Sequence, residues 1–272
     1  MIHMIRERID LMPGRPEAYM DYYGNDDRSA PADAILVIPG GGYSRLCSAR
    51  TGEPIALAYL TRGMNAFVLH YSVGKQILSP LDPLTQASLA MLHIRANAAH
   101  YNITPQRVFA AGFSAGGHLA ASLGTLWHDD ELQSRLPERG DGNRPSGMVL
   151  GYAVISSGKY SHKDSFFNLL GSETPSQAQM ERFSLELHVD ACTCPAFIMH
   201  TFDDPAVPVE NSLLMLSACS AAHIPCEAHI YPHGPHGIAL ANHVTWMGNA
   251  EFENAPIARW VDDSMVWMAS LR

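Results

Sequence analysis

Several short runs of the chain are apolar without a break. They are Ala34-Ile35-Leu36-Val37-Ile38, Ala66-Phe67-Val68-Leu69, Val108-Phe109-Ala110-Ala111, Met148-Val149-Leu150 and Ala196-Phe197-Ile198-Met199. A strand with one wet face alternates apolar and polar residues, whereas a strand covered on both faces does not. These runs therefore predict buried strands, extended to His70-Tyr71, Gly147–Ile155 and Pro195–His200 at their ends, with Cys226–Tyr231 as a last strand. Between them the apolar positions fall at helical steps. Ile55, Ala58 and Tyr59 mark a helix from Thr51 to Arg62, with Gly63 as its C-cap. Leu84, Ala87, Met91, Ile94 and Ala98 mark a second helix behind Asp82-Pro83, read as N-cap and first-turn proline. Further helices are predicted at His118–Leu123, at Glu210–Ala222 and over the stripe Ile257, Trp260, Val261, Ser264, Met265 and Met268. Strands alternating with helices predict an α/β class fold, a mostly parallel central sheet covered by helices on both faces.

Two regions depart from this alternation. Residues 1–34 read as edge structure, with one strand at Glu17–Tyr23 ended by the turn-rich Gly24-Asn25-Asp26-Asp27. Residues 156–190 are mixed and polar, with a short helix near Gln177–Phe183. They read as a cap-like insertion over the site, which together with side chains such as Tyr43 is expected to set acyl and alcohol specificity. No linker composition divides the chain, so residues 1–272 are expected to form a single domain.

Charge and cysteine content narrow the class. The net charge of -9, with no basic run, argues against a nucleic-acid partner. No stretch approaches the 18 or so apolar residues of a membrane span, and Met1–Arg8 lack the apolar core of a signal peptide. A cytoplasmic protein is the expectation. Five cysteines, two of them in Cys192-Thr193-Cys194, suggest free and mostly buried thiols and lack the second cluster of a zinc site. No His-Glu-x-x-His spacing occurs either, so neither metal nor organic cofactor is expected. The terminal helix offers a surface for a homodimer.

The candidate chemistry begins at Gly112-Phe113-Ser114-Ala115-Gly116-Gly117. An apolar strand leads in and a helix-prone run leads out, which is the setting of a nucleophile elbow. Its glycines allow strand and helix to meet closely, and Ser114 then sits in a strained turn with its Oγ above the sheet. A serine hydroxyl needs a base, an orienter for the base and donors for the oxyanion. In a parallel sheet these come from loops at the carboxyl ends of strands. Asp203 and Asp204 follow one predicted strand, and His233 and His236 follow the last. Asp204 is favoured because it directly precedes the turn Pro205–Pro208, with Asp203 left to stabilise that turn. His236 is favoured because its glycine-bracketed loop can reach over the sheet, with His233 bonding locally or facing solvent. The order serine, aspartate, histidine fits this fold. The backbone N–H of Ala115 and the loop Gly40-Gly41-Gly42-Tyr43 are the expected oxyanion donors. His118, His70, His200 and His229 read as packed structural residues.

Together these stretches resemble the α/β-hydrolase superfamily. The likeness is strongest to small bacterial esterases of the acetyl xylan esterase/feruloyl esterase kind and to hormone-sensitive-lipase-like carboxylesterases. It rests on Ile38–Tyr43, Gly112–Ala120, Asp204–Ser212, His233–Gly237 and Asn168-Leu169-Leu170-Gly171. Pro39 stands where the lipase-like group has a histidine, which moves the likeness towards the sugar esterases. The resemblance implies an α/β-hydrolase fold with Ser114, Asp204 and His236 as triad and Gly41 and Gly42 as oxyanion donors beside Ala115. It implies a serine carboxylesterase acting through an acyl-enzyme on short acyl groups, acetyl above all, carried by a carbohydrate or another small alcohol. A peptidase or amidase of the same superfamily is the alternative, and a non-catalytic ligand-binding relative the second.

Overall fold

The computed structural model describes residues 4–25 and 30–271. Asp26 and Asp27 of the expected N-terminal turn, and Met1–His3, lie outside the described residues. The strands are β1 (Met4–Asp10), β2 (Tyr19–Asn25), β3 (Ala32–Ile38), β4 (Asn65–His70), β5 (Ile103–Phe113), β6 (Met148–Gly151), β7 (Ala196–Thr201) and β8 (Cys226–Tyr231). They form one sheet in the order β1-β2-β4-β3-β5-β6-β7-β8. The pairs β1/β2 and β2/β4 are antiparallel and the remaining pairs are parallel. The main helices are α1 (Glu53–Leu60), α2 (Asp82–Ala96), α3 (Ala115–Thr125), α4 (Lys163–Leu170), α5 (Gln177–Arg182), α6 (Glu210–Ala221) and α7 (Trp260–Ser270).

The unbroken apolar strands are buried on both faces. Ala34, Leu36 and Ile38 of β3 share a core with Leu84 and Met91 of α2, Leu119 of α3 and Met215 of α6. Ile35 and Val37 point the other way, to Ile55 and Tyr59 of α1 and Trp260 and Trp267 of α7. Each such aliphatic side chain contributes about 1.5–3 kcal/mol by leaving water. That is the physical content of the continuous run.

The chain leaves β3 in one direction along the sheet, to β4, and then crosses to β5 on the other side of β3. The order of strands reverses at this point, and a crevice opens above the strand ends there. Ile38 and Gly112 are register partners at these ends. The glycine loop after β3 and the turn after β5 therefore emerge side by side.

Three local readings differ from the structure. β1 was not foreseen: of its seven residues only Ile9 is buried, and Arg6, Glu7 and Arg8 suit a charged sheet edge that resists further pairing. Asp82 does not cap α2. It is the first helical residue, and its Oδ2 accepts the N–H groups of Leu78 and Ser79 at 2.9 and 3.1 Å, fastening the preceding loop. The strand expected at Gly147–Ile155 ends at Gly151, because Tyr152 takes a left-handed φ of 37° that turns the chain out of the sheet.

Candidate active site

Ser114 stands between β5 and α3 with φ 57° and ψ -121°, a conformation L side chains rarely adopt. Its backbone is held on three sides. The Ser114 N–H donates to Gly151 O at 3.0 Å, and Ser114 O accepts from the N–H of His118 and of Val154, both at 3.1 Å. The surrounding glycines are required by contact. A Cβ on Gly112 would lie 2.1 Å from Gly116 O, one on Gly116 would lie 2.2 Å from Ile38 O, and one on Gly117 would lie 2.5 Å from Ala153 Cβ. The atoms facing Gly112 and Gly116 are backbone oxygens that cannot swing aside. Gly116→Ala is therefore expected to destabilise the fold by about 2 kcal/mol or more. A urea unfolding curve with an unchanged midpoint would contradict that.

The loop after β7 and the loop after β8 meet over Ser114. His236 Nδ1 lies 2.8 Å from Asp204 Oδ2, and His236 Nε2 lies 2.9 Å from Ser114 Oγ. A carboxylate only accepts, so Nδ1 carries the proton and the Nε2 lone pair faces the serine hydroxyl. Asp204 is buried, and its Oδ1 accepts the N–H groups of Ala206 and Val207 at 2.8 and 2.9 Å. Burial works against its charge. Hydrogen bonds from His200 and His236 outweigh that and hold the carboxyl well below the usual range.

The nearby role of His200 escaped the sequence reading. It is fully buried, as expected, yet its Nε2 lies 3.0 Å from Val207 O and 3.4 Å from Asp204 Oδ2. The Val207 carbonyl fixes the proton on Nε2, and Nδ1 accepts from the Ser212 hydroxyl at 2.7 Å. A histidine four residues before the aspartate, followed by a serine one turn into α6, was the available signal. Tyr152 also escaped it. Its ring packs edge-on to His236 at 5.1 Å and lines the cleft.

Beside Ser114 a cleft of about 420 Å³ is lined by Gly40–Gly42, Tyr152 and His236, among others. Gly41 and Gly42 have φ values of 136° and 65°. Among the described residues, the N–H groups of Gly41, Gly42 and Ala115 are taken by no loop or turn carbonyl, whereas Gly40 N–H is spent on Thr51 Oγ1 at 3.1 Å. Tyr43, which the sequence suggested as a specificity residue, faces away. Its buried hydroxyl donates to His118 Nδ1 at 2.8 Å, and His118 Nε2–H donates to Phe183 O at 2.8 Å.

His118 is thus the packed residue expected, and burial pushes it down to about 4 from an ordinary value of 6.5. Between those values the unfolded chain binds a proton that the native state refuses. Stability from this group is therefore complete above about pH 6.5 and is lost as pH falls towards 4. From pH 7.5 to 5 the wild type is expected to lose about 2 kcal/mol more than His118→Gln. Urea titrations at the two pH values check this, and equal losses would contradict it.

Asp203 and His233 form a separate, exposed pair at 2.8 Å, and Asp203 Oδ1 accepts Gly234 N–H at 2.9 Å, clasping the two loops together. Asp203 thus binds the neighbouring loop in preference to its own turn. Segment 156–190 contributes α4, α5 and the cleft residues His162, Asp164 and Asn168. Asn168 Nδ2 donates to Gly42 O at 2.9 Å, tying α4 to the glycine loop. The five cysteines are free. Cys194 and Cys219 are buried, Cys47 and Cys226 are half-buried and Cys192 is exposed, fewer in the core than expected. Among the described residues no helix is long and apolar enough to cross a membrane.

The strand order, the turn at Ser114 and the loops that meet over it define an α/β-hydrolase. The chain belongs to the BD-FAE family, whose profile matches residues 20–218. It is 43% identical to endo-1,4-beta-xylanase B of Butyrivibrio fibrisolvens over 224 residues, which are 81% of this chain and 34% of that protein. It is 32% identical to acetylxylan esterase of Xylanibacter ruminicola over 219 residues, 78% of this chain and 42% of that protein. The chain thus spans less than half the length of either relative. Among solved structures, the acetyl ester-xyloside bifunctional hydrolase of Caldicellulosiruptor lactoaceticus superposes with a TM-score of 0.82 at 33% identity, covering 97% of this chain and 96% of that one. The carboxylesterase Cest-2923 of Lactobacillus plantarum superposes at 0.80 with 25% identity, covering 99% and 97%.

Proposed function

We propose that the chain is a serine carboxylesterase that removes short acyl groups, acetyl first, from carbohydrates such as acetylated xylan. The observation that carries this reading is the unbroken line Asp204–His236–Ser114, ending in a hydroxyl that opens on the cleft. His236 Nε2 takes the Ser114 proton as Oγ attacks the ester carbonyl. Asp204 holds the imidazole in the Nδ1–H tautomer and stabilises the imidazolium. Ala115 N–H, with Gly41 or Gly42 N–H, receives the developing oxyanion, each such donor being worth about 10^2–10^3 in kcat. His236 then returns the proton to the leaving alcohol. Water repeats the sequence on the acyl-enzyme and frees the acid.

The names of the relatives support a sugar-borne acetyl ester. The cleft volume of about 420 Å³ sits in the range of small-molecule sites. Segment 156–190 is taken as a cap that decides which alcohols enter. The reading is tested with 4-nitrophenyl esters of increasing chain length and with acetylated xylo-oligosaccharides. Acetyl is expected to give the highest kcat/KM and free acetate to appear from the oligosaccharides. A preference for long acyl chains, or turnover of amides only, would remove it.

A further inference from the structure

Two arginines, Arg45 and Arg50, stand in the cleft wall. Most of the other described arginines are partnered, Arg259 excepted. Arg15 pairs with Glu17 and Asp82, Arg62 with Asp262, and Arg107 with Asp33, while Arg95 donates to carbonyls. Among the described residues neither Arg45 nor Arg50 shares an ion pair or a side-chain hydrogen bond. Arg50 is the more telling. Its guanidinium lies 3.9 Å over the Phe252 ring, and its Nε and Nη2 are shut from solvent with no acceptor. Those two nitrogens are closed to a ligand as well, and a half-buried cation with no counter-ion costs stability unless a bound anion supplies one. Nη1 is the edge left for that group. It faces Gly237, where an added methyl carbon would lie 3.7 Å away. Gly237 directly follows His236, which places this edge beside the base. Asp164 is the one carboxylate of the lining, so the wall carries a single excess positive charge in a chain of net charge -9. That balance suits a monoanion and opposes a dianion.

Building on the esterase reading above, we infer that the cleft takes esters whose alcohol carries a carboxylate, an acylated uronic acid being the simplest, and that Arg50 with Arg45 binds this carboxylate. A guanidinium N–H donating to a carboxylate oxygen is a charge-assisted hydrogen bond, which Nη1 of Arg50 is placed to make. The test compares methyl 3-O-acetyl-glucuronide with methyl 3-O-acetyl-glucoside, which differ only in a carboxylate against a hydroxymethyl group. The wild type is expected to prefer the acid by about 10-fold or more in kcat/KM, and the preference to shrink with added salt. Arg50→Gln is expected to bring the ratio close to one, and Arg50→Lys to keep part of it. Arg45→Gln, on an exposed side chain, is expected to lower it and decides the matter if Arg50→Gln does not fold. A wild-type ratio of one or below, or a ratio unmoved by the variants, overturns the inference. So does turnover of 4-nitrophenyl acetate with neither sugar cleaved, which leaves the esterase reading intact. No turnover of any ester sinks both.

Discussion

Ser114→Ala is expected to lower kcat on an acetyl ester by about 10^4–10^6-fold. The hydroxyl makes one hydrogen bond, to His236, so its loss removes the nucleophile and little else. The glycine loop and the Ala115 N–H remain, and they polarise the bound carbonyl for a slow attack by water. KM and the urea midpoint are therefore expected to stay near the wild-type values. A variant that keeps a tenth of the wild-type kcat would show that another group performs the attack. Active-site titration before the assay excludes carry-over of wild-type enzyme.

Asp204→Asn is expected to cost about 10^4-fold in kcat, for a different reason. Asp204 Oδ1 faces the N–H groups of Ala206 and Val207, so the amide oxygen of asparagine must take that place. Its NH2 then points to His236 Nδ1, which has to become an acceptor. The imidazole proton moves to Nε2, where it faces the serine hydroxyl and cannot receive its proton. The same NH2 also meets the Nε2–H of His200, which lies 3.4 Å from Oδ2 in the wild type. Two donors at that distance, away from water, make the variant less stable as well. Loss of activity with an unchanged unfolding midpoint would argue that His200 does not engage Asp204. The wild-type carboxyl is held well below its ordinary range, so its contribution is present above about pH 4 and is lost as pH falls through its lowered folded value. That loss is absent from the asparagine variant.

The sequence made the centre of the molecule legible and the periphery less so. Strands such as β3 and β7 are buried on both faces, and only apolar residues tolerate that. Their composition therefore identifies them without reference to neighbours. β1 has one buried side chain, and its strand state depends on pairing with β2, which local composition does not encode. α4 lies in a polar segment, and the contact that fixes it, Asn168 with Gly42, joins residues 126 apart in sequence. The end of β6 depends on the backbone turn at Tyr152, which is unusual for an aromatic residue and leaves no compositional trace.

The candidate site divides in the same way. Ser114 and Asp204 were legible because each follows an apolar strand, and His236 because it follows the last predicted strand, all three in turns that glycines or prolines mark. Tyr43 and His200 were misjudged in opposite directions. Tyr43 adjoins the glycines and seemed aimed at substrate, but its phenol reaches a buried acceptor on α3. His200 lies within a strand and seemed remote, but the chain bends after it and brings Asp204 back onto its ring. Whether a side chain faces the cleft or the core depends on partners far away along the chain. Arg50 is a further case. In the sequence it is one charge among many, and only the packing of Phe252 against it, with no ion-pair partner among the described residues, sets it apart.

The central claim is that Ser114 is the nucleophile of a serine esterase. The most direct test is a fluorophosphonate probe followed by peptide mapping. One adduct on the Ser114 peptide is predicted, blocking ester turnover in proportion to its yield and absent from Ser114→Ala. Labelling of another residue, or full ester turnover by protein that takes no label, would contradict the account.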